Sequence, residues 1–492
     1  MSVSAAPQHL TVADRQARGA EARNRTPLDA HVGWQPPPGR GDPIALLEAQ
    51  NTTREPDLVP VRHGRMMVSA FTFYRGSAAI MAADLAGTPT AGLDVQLCGD
   101  AHLSNFGVFA SPERELLFDL NDFDETLPGP FEYDVKRLAA SFTIAARNNA
   151  FDPADVRKAS CEVGRAYRTA MAAFAELGTL DIWYARMSEA DVRAGIEHVR
   201  SKIEGKEVKD VKRGKGGKAA TMKKEDVQIR RSEAVLRKAR SRTNLQALSK
   251  LTEVVDGRQR IVSQPPVLVP LRELEHGAGY DSLDLEDIVR QVFGRYRETL
   301  SDTRRLLLDD YVIVDVARKV VGVGSVGTRA FVVLLEGRDE RDPLFLQVKE
   351  ATRSVLEAHL PRSRYDNCGE RVVQGQQLMQ SASDIFLGWS AGVQTDRFYY
   401  WRQLRDMKGA ADVESMIPKG LTFYAGICGW TLARAHARSG DPIAIAAYLG
   451  TDRTFDKAIA EFAEQYADQN ELDYRAFREA VSSGRIEARS GV

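Results

Sequence analysis

Residues 310–351 read DYVIVDVARKVVGVGSVGTRAFVVLLEGRDERDPLFLQVKEA and contain three runs of apolar and β-branched residues. These runs, at 310–321, 330–337 and 343–351, have the length and composition of buried β-strands. The sequence GVGSVG at 322–327, between the first two runs, has the spacing GxGxxG. A dinucleotide-binding fold requires this motif to open a helix, whereas a strand follows it here. The stretch therefore predicts an antiparallel sheet with a glycine-rich loop between two of its strands.

A glycine-rich loop between two strands is the context of a hairpin that covers nucleotide phosphates, because its bare backbone N–H groups approach the ligand closely. We therefore predict a nucleotide-binding loop at Gly322, Gly324 and Gly327. Lys349 lies on the third strand, where a lysine can bind the α- and β-phosphates. Loop, strand, turn and lysine together are more specific than the glycine motif alone.

A second group of polar residues lies more than 200 residues earlier, in the sequence GDAHLSN at 99–105. Asp100 and Asn105 are five residues apart, the spacing between the catalytic base and a metal-binding Asn in a kinase catalytic loop. Such a loop can direct a carboxylate at a substrate hydroxyl while the amide oxygen binds a metal on the phosphates. A strand and a turn later, Asp122 has the place of a second metal-binding carboxylate, and Asp119 is the competing candidate.

These residues resemble the protein-kinase-like superfamily, and most closely its aminoglycoside and choline kinases. The catalytic loop of those enzymes reads HGDxHxxN, to which GDAHLSN is similar, with Cys98 in place of the first His. Their metal-binding Asp is followed about 12 residues later by an Asp-Leu pair, and Asp134-Val135 has that offset from Asp122, which favours Asp122 over Asp119. Their glycine loop and lysine precede the catalytic loop, so the resemblance implies a circular permutation here.

The resemblance also implies roles and co-substrates. Asp100 would accept the proton of an acceptor hydroxyl, while Asn105 and Asp122 would hold Mg²⁺. The lysine of a kinase pairs with a carboxylate on the following helix, for which Glu370 is the candidate and Glu357 the alternative. ATP is the expected co-substrate, and the acceptor is an unidentified hydroxyl compound, expected to be a small molecule.

Four further residues have a possible place in the site. His102 is either a ligand of metal or phosphate or a structural hydrogen-bonding group, and Asp124 is a further possible ligand. Arg75 and Arg402 are candidates for contact with phosphate or substrate. For Arg402, packing near the end of a strand is the competing interpretation.

The chain is also identified as a member of DUF2252, a bacterial family of unknown function. The matching segments are RHGRMMVSAFTFYRG, LCGDAHLSNFG, FDLNDFDETLPGPFEYDVKRLAAS, ASDIFLGW, RQLRDMKG and LARAHARSGD, and the similarity extends from about residue 15. The family implies no established substrate. Its grouping with kinase-like folds agrees with the roles given above.

The order of helices and strands predicts an α+β fold with at least one antiparallel sheet. The resemblance to kinases implies that this fold is two-lobed, kinase-like and circularly permuted. Residues 1–44 are predicted to form a polar arm with little structure of its own, and 305–405 an antiparallel nucleotide-binding lobe. Residues 45–304, with a basic insertion at 201–242, would form a large helical lobe that the helices of 406–492 complete.

Composition excludes some functions. The 492 residues include 67 Lys and Arg against 68 Asp and Glu, a balance that argues against a nucleic-acid partner. Residues 201–242 hold 15 basic and 6 acidic residues but no aromatic residue for base stacking, which favours a solvated insertion over a phosphate or nucleic-acid patch. No signal peptide or membrane-spanning run is found. The cysteines Cys98, Cys161, Cys368 and Cys428 are scattered as in reduced proteins, so we expect a cytoplasmic location.

Other functions compete with phosphotransfer. GWSAG at 388–392 matches the GxSxG nucleophile elbow, which needs a helix after Ser390, but a strand is predicted there. GDAH resembles the GDxH motif of metallophosphoesterases, whose partner motifs GDxxDR and GNH are absent. A pseudokinase-type nucleotide-binding module and a nucleotidyltransferase that uses the same site are further alternatives. Retention of Asp100, Asn105, Asp122 and Lys349 argues against the pseudokinase.

Overall fold

The structure is a computed structural model that describes residues 9–197, 200–201, 219–274, 285–320, 322–393, 396–404 and 406–491. Residues 1–8 of the predicted arm and 202–218 of the predicted basic insertion lie outside this range, as does residue 405. Every helix in the described ranges is too short or too polar to cross a lipid bilayer.

Helices occupy more of the described chain than strands do. They are α1 (Val12–Arg25), α2 (Pro43–Asn51), α3 (Val59–Met66), α4 (Ala70–Gly76), α5 (Ala78–Leu85), α6 (Phe131–Asn148), α7 (Pro153–Ala175), α8 (Thr179–Tyr184), α9 (Ala219–Arg240), α10 (Asn244–Leu251), α11 (Leu285–Glu298), α12 (Asp302–Asp309), α13 (Cys368–Met379), α14 (Pro418–Ser439), α15 (Pro442–Leu449) and α16 (Thr454–Ser482). Short 3₁₀ turns include Leu103–Asn105 and Val355–Ala358.

The strands form antiparallel sheets, as the sequence predicts. They are β1 (Asp94–Leu97), β2 (Phe106–Ala110), β3 (Leu116–Leu120), β4 (Leu127–Pro130), β5 (Met187–Ser188), β6 (Thr252–Val255), β7 (Arg258–Ile261), β8 (Leu268–Pro270), β9 (Val312–Lys319), β10 (Ala330–Glu336), β11 (Pro343–Ala351), β12 (Gly388–Ala391), β13 (Phe398–Gln403) and β14 (Gly409–Ala410). The mixed α+β class is therefore confirmed.

The largest sheet has six strands in the order β12-β13-β11-β10-β9-β8. The glycine-rich loop connects β9 to β10, which pair from Arg318 opposite Phe331, so the loop closes a hairpin as predicted. Strand β8 pairs with β9, and the sheet therefore begins upstream of residue 305.

Both faces of this sheet are covered, which explains its continuous apolar runs. On one face Tyr296 of α11 stacks on Trp401 of β13, with ring centroids 4.5 Å apart. On the other face Leu251 of α10 packs in one cluster with Phe345 of β11. All nine residues of β11 are buried, so the environment of Lys349 is largely protein.

The remaining helices surround a second, larger core. Helices α6, α7, α14 and α16 supply many of its buried side chains, and the β2–β3 hairpin packs against it. Part of the predicted arm belongs to this core, because α1 is held by a capping box between Thr11 and Asp14 and buries Ala22. Trp34 lies against Tyr466 with ring centroids 5.0 Å apart.

Helix α13 connects the sheet to the hairpin region through a close contact. A Cβ atom at Gly375 would lie 2.5 Å from the Thr126 side chain, so only glycine allows this approach. Arg371 of the same helix donates to the carbonyl oxygens of Thr126 at 2.6 Å and of Asp124 at 2.8 Å. This contact sets the position of residues 124–126.

We expect Gly375→Ala to lower the free energy of unfolding by about 1–3 kcal/mol, the cost of overpacking, although alanine favours helices over glycine. Urea denaturation measures the change. The matched control is Gly294→Ala on α11, where an added Cβ meets no atom within 4 Å, and it should stabilise the protein by about 0.5–1 kcal/mol. Equal effects of the two substitutions would contradict the close contact with Thr126.

Candidate functional site

Gly99 positions the loop that carries Asp100. Its φ of +83° is in the left-handed region, and a Cβ atom there would lie 2.1 Å from the carbonyl oxygen of Glu125. Only glycine combines this backbone conformation with this contact. The loop at 99–105 is thereby held directly against the loop at 121–125.

Asp134, at the start of α6, fixes the same loop from behind. Its carboxylate accepts the backbone N–H groups of Cys98 at 2.8 Å and Gly99 at 3.1 Å. His436 of α14 lies 3.2 Å from the same carboxylate, and both side chains are buried. Asp134 therefore supports the loop that carries Asp100.

The Asp100 carboxylate is oriented by Arg137 of α6. Nε of Arg137 donates to Oδ1 of Asp100 at 2.8 Å, and a terminal guanidinium nitrogen lies 2.7 Å from the same oxygen. Oδ2 is 3.9 Å from Nε2 of His102. One carboxylate oxygen is thus held by the protein, and the other remains for a ligand.

Asn105 and His102 shape the turn between Asp100 and β2. The Asn105 Nδ2 donates to the Asp100 carbonyl at 2.7 Å, which leaves its Oδ1 as an acceptor. His102 Nδ1 accepts the Ser104 N–H at 3.2 Å, and burial lowers the pKa of His102 to about 3. His102 is therefore neutral near pH 7 and stabilises the turn, in line with its structural interpretation.

Asp124 is the centre of the hydrogen-bond network of the site. Nζ of Lys349 lies 2.6 Å from its Oδ2, and the Tyr400 hydroxyl donates to its Oδ1 at 2.7 Å. The Ser325 hydroxyl of the glycine-rich loop donates to Oδ2 at 3.3 Å. Asp122 is more distant, with Oδ1 at 3.8 Å from the Lys349 ammonium. Lys349 therefore lies beside both carboxylates and closest to Asp124.

The pKa values of the two carboxylates are shifted in opposite directions. Burial and the negative charge of Asp124 raise the pKa of Asp122 above its ordinary value. Burial also acts to raise the pKa of Asp124, but the Lys349 ammonium and the Tyr400 hydroxyl outweigh it and hold this pKa below its ordinary value. Asp124 is thus ionised, while Asp122 lacks a cation of its own.

Strand β13 supplies two side chains to this network. Tyr400 is paired directly opposite Lys349, and the Lys349 ammonium lies 5.3 Å from its ring centroid. Arg402 donates to the Asn121 carbonyl at 3.0 Å and to the Gln347 side chain at 3.1 Å, so it supports the loop before Asp122. Sequence reasoning missed Tyr400, although strand alternation places it on the same face as Arg402.

The glycine-rich loop forms one wall of the site. Gly322 and Gly324 line the pocket, and a Cβ atom at Gly324 would lie 3.1 Å from the Arg75 carbonyl oxygen. Gly327, with φ of +89°, packs against the side chain of Arg54 instead. Arg54 donates to the Val326 carbonyl at 2.5 Å and so ties the loop to the segment after α2.

These segments enclose a pocket of about 420 Å³. Its polar lining includes Asp100, His102, Asn105, Asp122, Asp124, Glu125, Ser325, Arg54 and Arg75. Burial raises the pKa of Glu125, which accepts the Val355 N–H at 2.7 Å, to about 7. The structure therefore brings together the two polar segments and the glycine loop that the sequence places far apart.

Asp119 and Glu370, two candidate site residues from the sequence, do not line the pocket. Asp119 is only 1% exposed and accepts hydrogen bonds from Arg434 and from the Ser381 backbone and hydroxyl. Glu370 lies in the first turn of α13, whereas the carboxylates that pair with Lys349 are Asp124 and Asp122.

The serine of the GWSAG motif at 388–392 lies in a strand. Ser390 is a buried residue of β12, which pairs with β13, and its hydroxyl accepts the Trp401 indole N–H at 2.9 Å. A nucleophile elbow places its serine on a sharp turn from a strand into a helix. Ser390 is not in that position.

The pocket residues fit a Mg²⁺ ion held together with a nucleotide. Asn105, Asp122 and Asp124 provide oxygen atoms, and Mg²⁺ is commonly bound by one or two carboxylates plus substrate phosphates. Within the described ranges, no group of three or more His, Cys, Asp or Glu side chains is arranged to hold a metal ion.

Comparison with known proteins places most of the chain in one family. The model of a family described as "Uncharacterized protein conserved in bacteria (DUF2252)" matches residues 54–480. This range includes all of the pocket residues named above. No curated protein and no solved structure matches the chain.

The buried pair of Asp119 and Arg434 yields a test of the structural role of Asp119. We expect Arg434→Met to lower the free energy of unfolding by about 3–5 kcal/mol, because it leaves a buried carboxylate without its cation. The double substitution Asp119→Asn and Arg434→Met should recover much of this loss in urea denaturation. If Arg434→Met is as stable as the wild type, the pair does not support the fold.

Proposed function

Because the chain belongs to the bacterial family DUF2252, whose description states no activity, we propose its function from the site: an ATP- and Mg²⁺-dependent phosphotransferase that acts on a hydroxyl acceptor. One observation carries the proposal. Three segments, at 100–105, 122–125 and 322–325, line a single pocket although the third lies far from the other two in the sequence, and Lys349 is bonded to Asp124 of the lining. Each segment has the residue types that phosphoryl transfer requires.

Lys349 and the glycine loop would bind the nucleotide. The backbone of Gly322 and Gly324 faces the pocket without side chains, so phosphates can approach its N–H groups. Lys349 would exchange its contact with Asp124 for phosphate oxygens. Asn105, Asp122 and Asp124 would hold Mg²⁺, which neutralises charge on the phosphates.

Asp100 would receive the proton of the acceptor hydroxyl. Its Oδ1 is held by Arg137, so Oδ2 is the atom that can accept a hydrogen bond from the acceptor. Catalysis by such a site depends on positioning and on electrostatic stabilisation rather than on a covalent intermediate.

The connectivity of the large sheet supports a kinase-like arrangement. A glycine-rich loop joins β9 to β10, Lys349 lies on the next strand, β11, and helix α13 follows. The kinase template has the same order of glycine loop, lysine strand and helix. Since the catalytic loop precedes this unit in the chain, the proposal includes a circular permutation and a division into a sheet lobe and a helical lobe.

We expect the protein to bind ATP in a Mg²⁺-dependent manner, measured by isothermal titration calorimetry, and Asp122→Asn to remove the dependence on Mg²⁺ because it removes a metal ligand. The control Glu340→Gln changes an exposed carboxylate in the turn before β11 and should bind as the wild type does. Thermal unfolding should show that both variants are folded. Unchanged Mg²⁺-dependent binding by Asp122→Asn would refute the metal assignment.

We expect Lys349→Met to weaken ATP binding about tenfold or more, since it removes a charge-assisted contact with the phosphates. Lys158→Met, an exposed position on α7, is the matched control and should leave the affinity unchanged. The double substitution Lys349→Met and Asp124→Asn avoids an unpaired buried carboxylate, so its thermal unfolding shows whether a loss of stability in Lys349→Met comes from that carboxylate. Because Asp124 is itself a proposed Mg²⁺ ligand, the affinity is compared only for the single variant. Wild-type affinity in folded Lys349→Met would contradict the role of Lys349.

A further inference from the structure

Arg75 lies in the last turn of α4 and lines the pocket together with Asp100 and His102. It is half-buried, and its Nε atom is buried without a hydrogen-bond partner. Among the described residues, its guanidinium contacts the Phe71 ring, 6.0 Å from the centroid, and makes no hydrogen bond or ion pair. Buried polar atoms normally have a hydrogen-bond partner, so the guanidinium of Arg75 has donors that are open to a ligand.

The other charges near the base are already compensated. Asp100 is bonded to Arg137 at 2.7–2.8 Å, and Asp124 is bonded to Lys349 at 2.6 Å. The positive charge of Arg75 is therefore available for a group outside the protein. An arginine offers two parallel N–H donors that match the geometry of a carboxylate or a phosphate.

Arg54 and Arg75, two of the arginines that line the pocket, face different parts of it. Arg54 bonds to the glycine loop through the Val326 carbonyl, and the carboxylates that stabilise its charge lie on the metal and sheet side. They are Glu125, Asp124 and Glu350. The carboxylates that stabilise the charge of Arg75 are Asp100 and Glu414. Arg75 therefore lies on the side of the catalytic base, where the acceptor would bind.

We propose that Arg75 binds an oxyanion of the acceptor, so that the substrate is an anionic hydroxyl compound that carries a carboxylate or a phosphate. This inference rests on the proposed function, because it uses the position of Asp100 to locate the acceptor. The bound anion would place the hydroxyl of the acceptor near the free oxygen of Asp100. Arg75 would act by binding and positioning the substrate.

The test measures binding of inorganic phosphate, and separately of malonate, by calorimetry to protein saturated with Mg²⁺ and a non-hydrolysable ATP analogue. We expect one bound anion per chain and an affinity that falls about tenfold or more in Arg75→Met. The matched control is Arg353→Met, an exposed arginine that lines the same pocket, which should change the affinity less than about twofold. The ratio of phosphate to malonate affinity identifies which anion the site prefers.

The outcomes separate this inference from the proposed function. If the ATP analogue does not bind, the proposed function fails and the inference fails with it. If the analogue binds but neither anion binds, or if Arg75→Met binds them as well as the wild type, only the inference is overturned. Anion binding that the saturating analogue abolishes would assign Arg75 to the terminal phosphate of the nucleotide and would also overturn it. Should Arg75→Met not fold, Arg75→Lys replaces it: this variant keeps the charge but loses the paired donors, so its anion affinity should fall below that of the wild type, and an unchanged affinity would overturn the inference.

Discussion

The ion pair between Lys349 and Asp124 is the interaction on which the rest of the site depends. Lys349 is 3% exposed, and a buried ammonium is tolerated only with a carboxylate close by. Asp124 meets this requirement at 2.6 Å, across 225 residues of chain. Tyr400 completes the contact by donating to the other carboxylate oxygen. The pair therefore holds β11 of the large sheet against the loop that follows β3. The pocket lies beside this junction.

Close backbone contacts determine the walls of that pocket. Gly99 packs against the Glu125 carbonyl, and Gly375 packs against Thr126. The segment at 124–126 is thus held by one glycine that precedes it in the chain and by one that follows it. Arg371 adds hydrogen bonds to the same backbone. The loop that carries Asp100 is held by a further contact, because the Asp134 carboxylate accepts two consecutive backbone N–H groups of this loop. Such preorganisation is what a reaction based on positioning requires.

Most charges in the pocket are neutralised within the protein, and the exceptions indicate where ligands bind. Asp100 pairs with Arg137, Asp124 with Lys349, and Glu350 with Arg329 and Arg397. Asp122 has only a contact of 3.8 Å with the Lys349 ammonium, and the Arg75 guanidinium lies only against the Phe71 ring. Asp122 and Arg75 are therefore two groups of opposite charge that lack a close ion-pair partner in the protein. This arrangement agrees with a cation on one side of the base and an anionic acceptor on the other.

Local patterns in the sequence determined three strands of the large sheet, the glycine loop between two of them and some of the residues that line the pocket, among them Asp100, Asn105 and Asp122. Those features depend on alternation and on glycine, which act over a few residues. Only the tertiary structure decided the partners: Asp124 rather than Glu370 for Lys349, and Arg434 for Asp119. Neighbouring helix residues differ by about 100° around the axis, so Arg371, next to Glu370, is the one whose side chain bonds to the loop at 124–126. That rotation is set by the packing of α13 around Gly375, a long-range contact that no local pattern encodes.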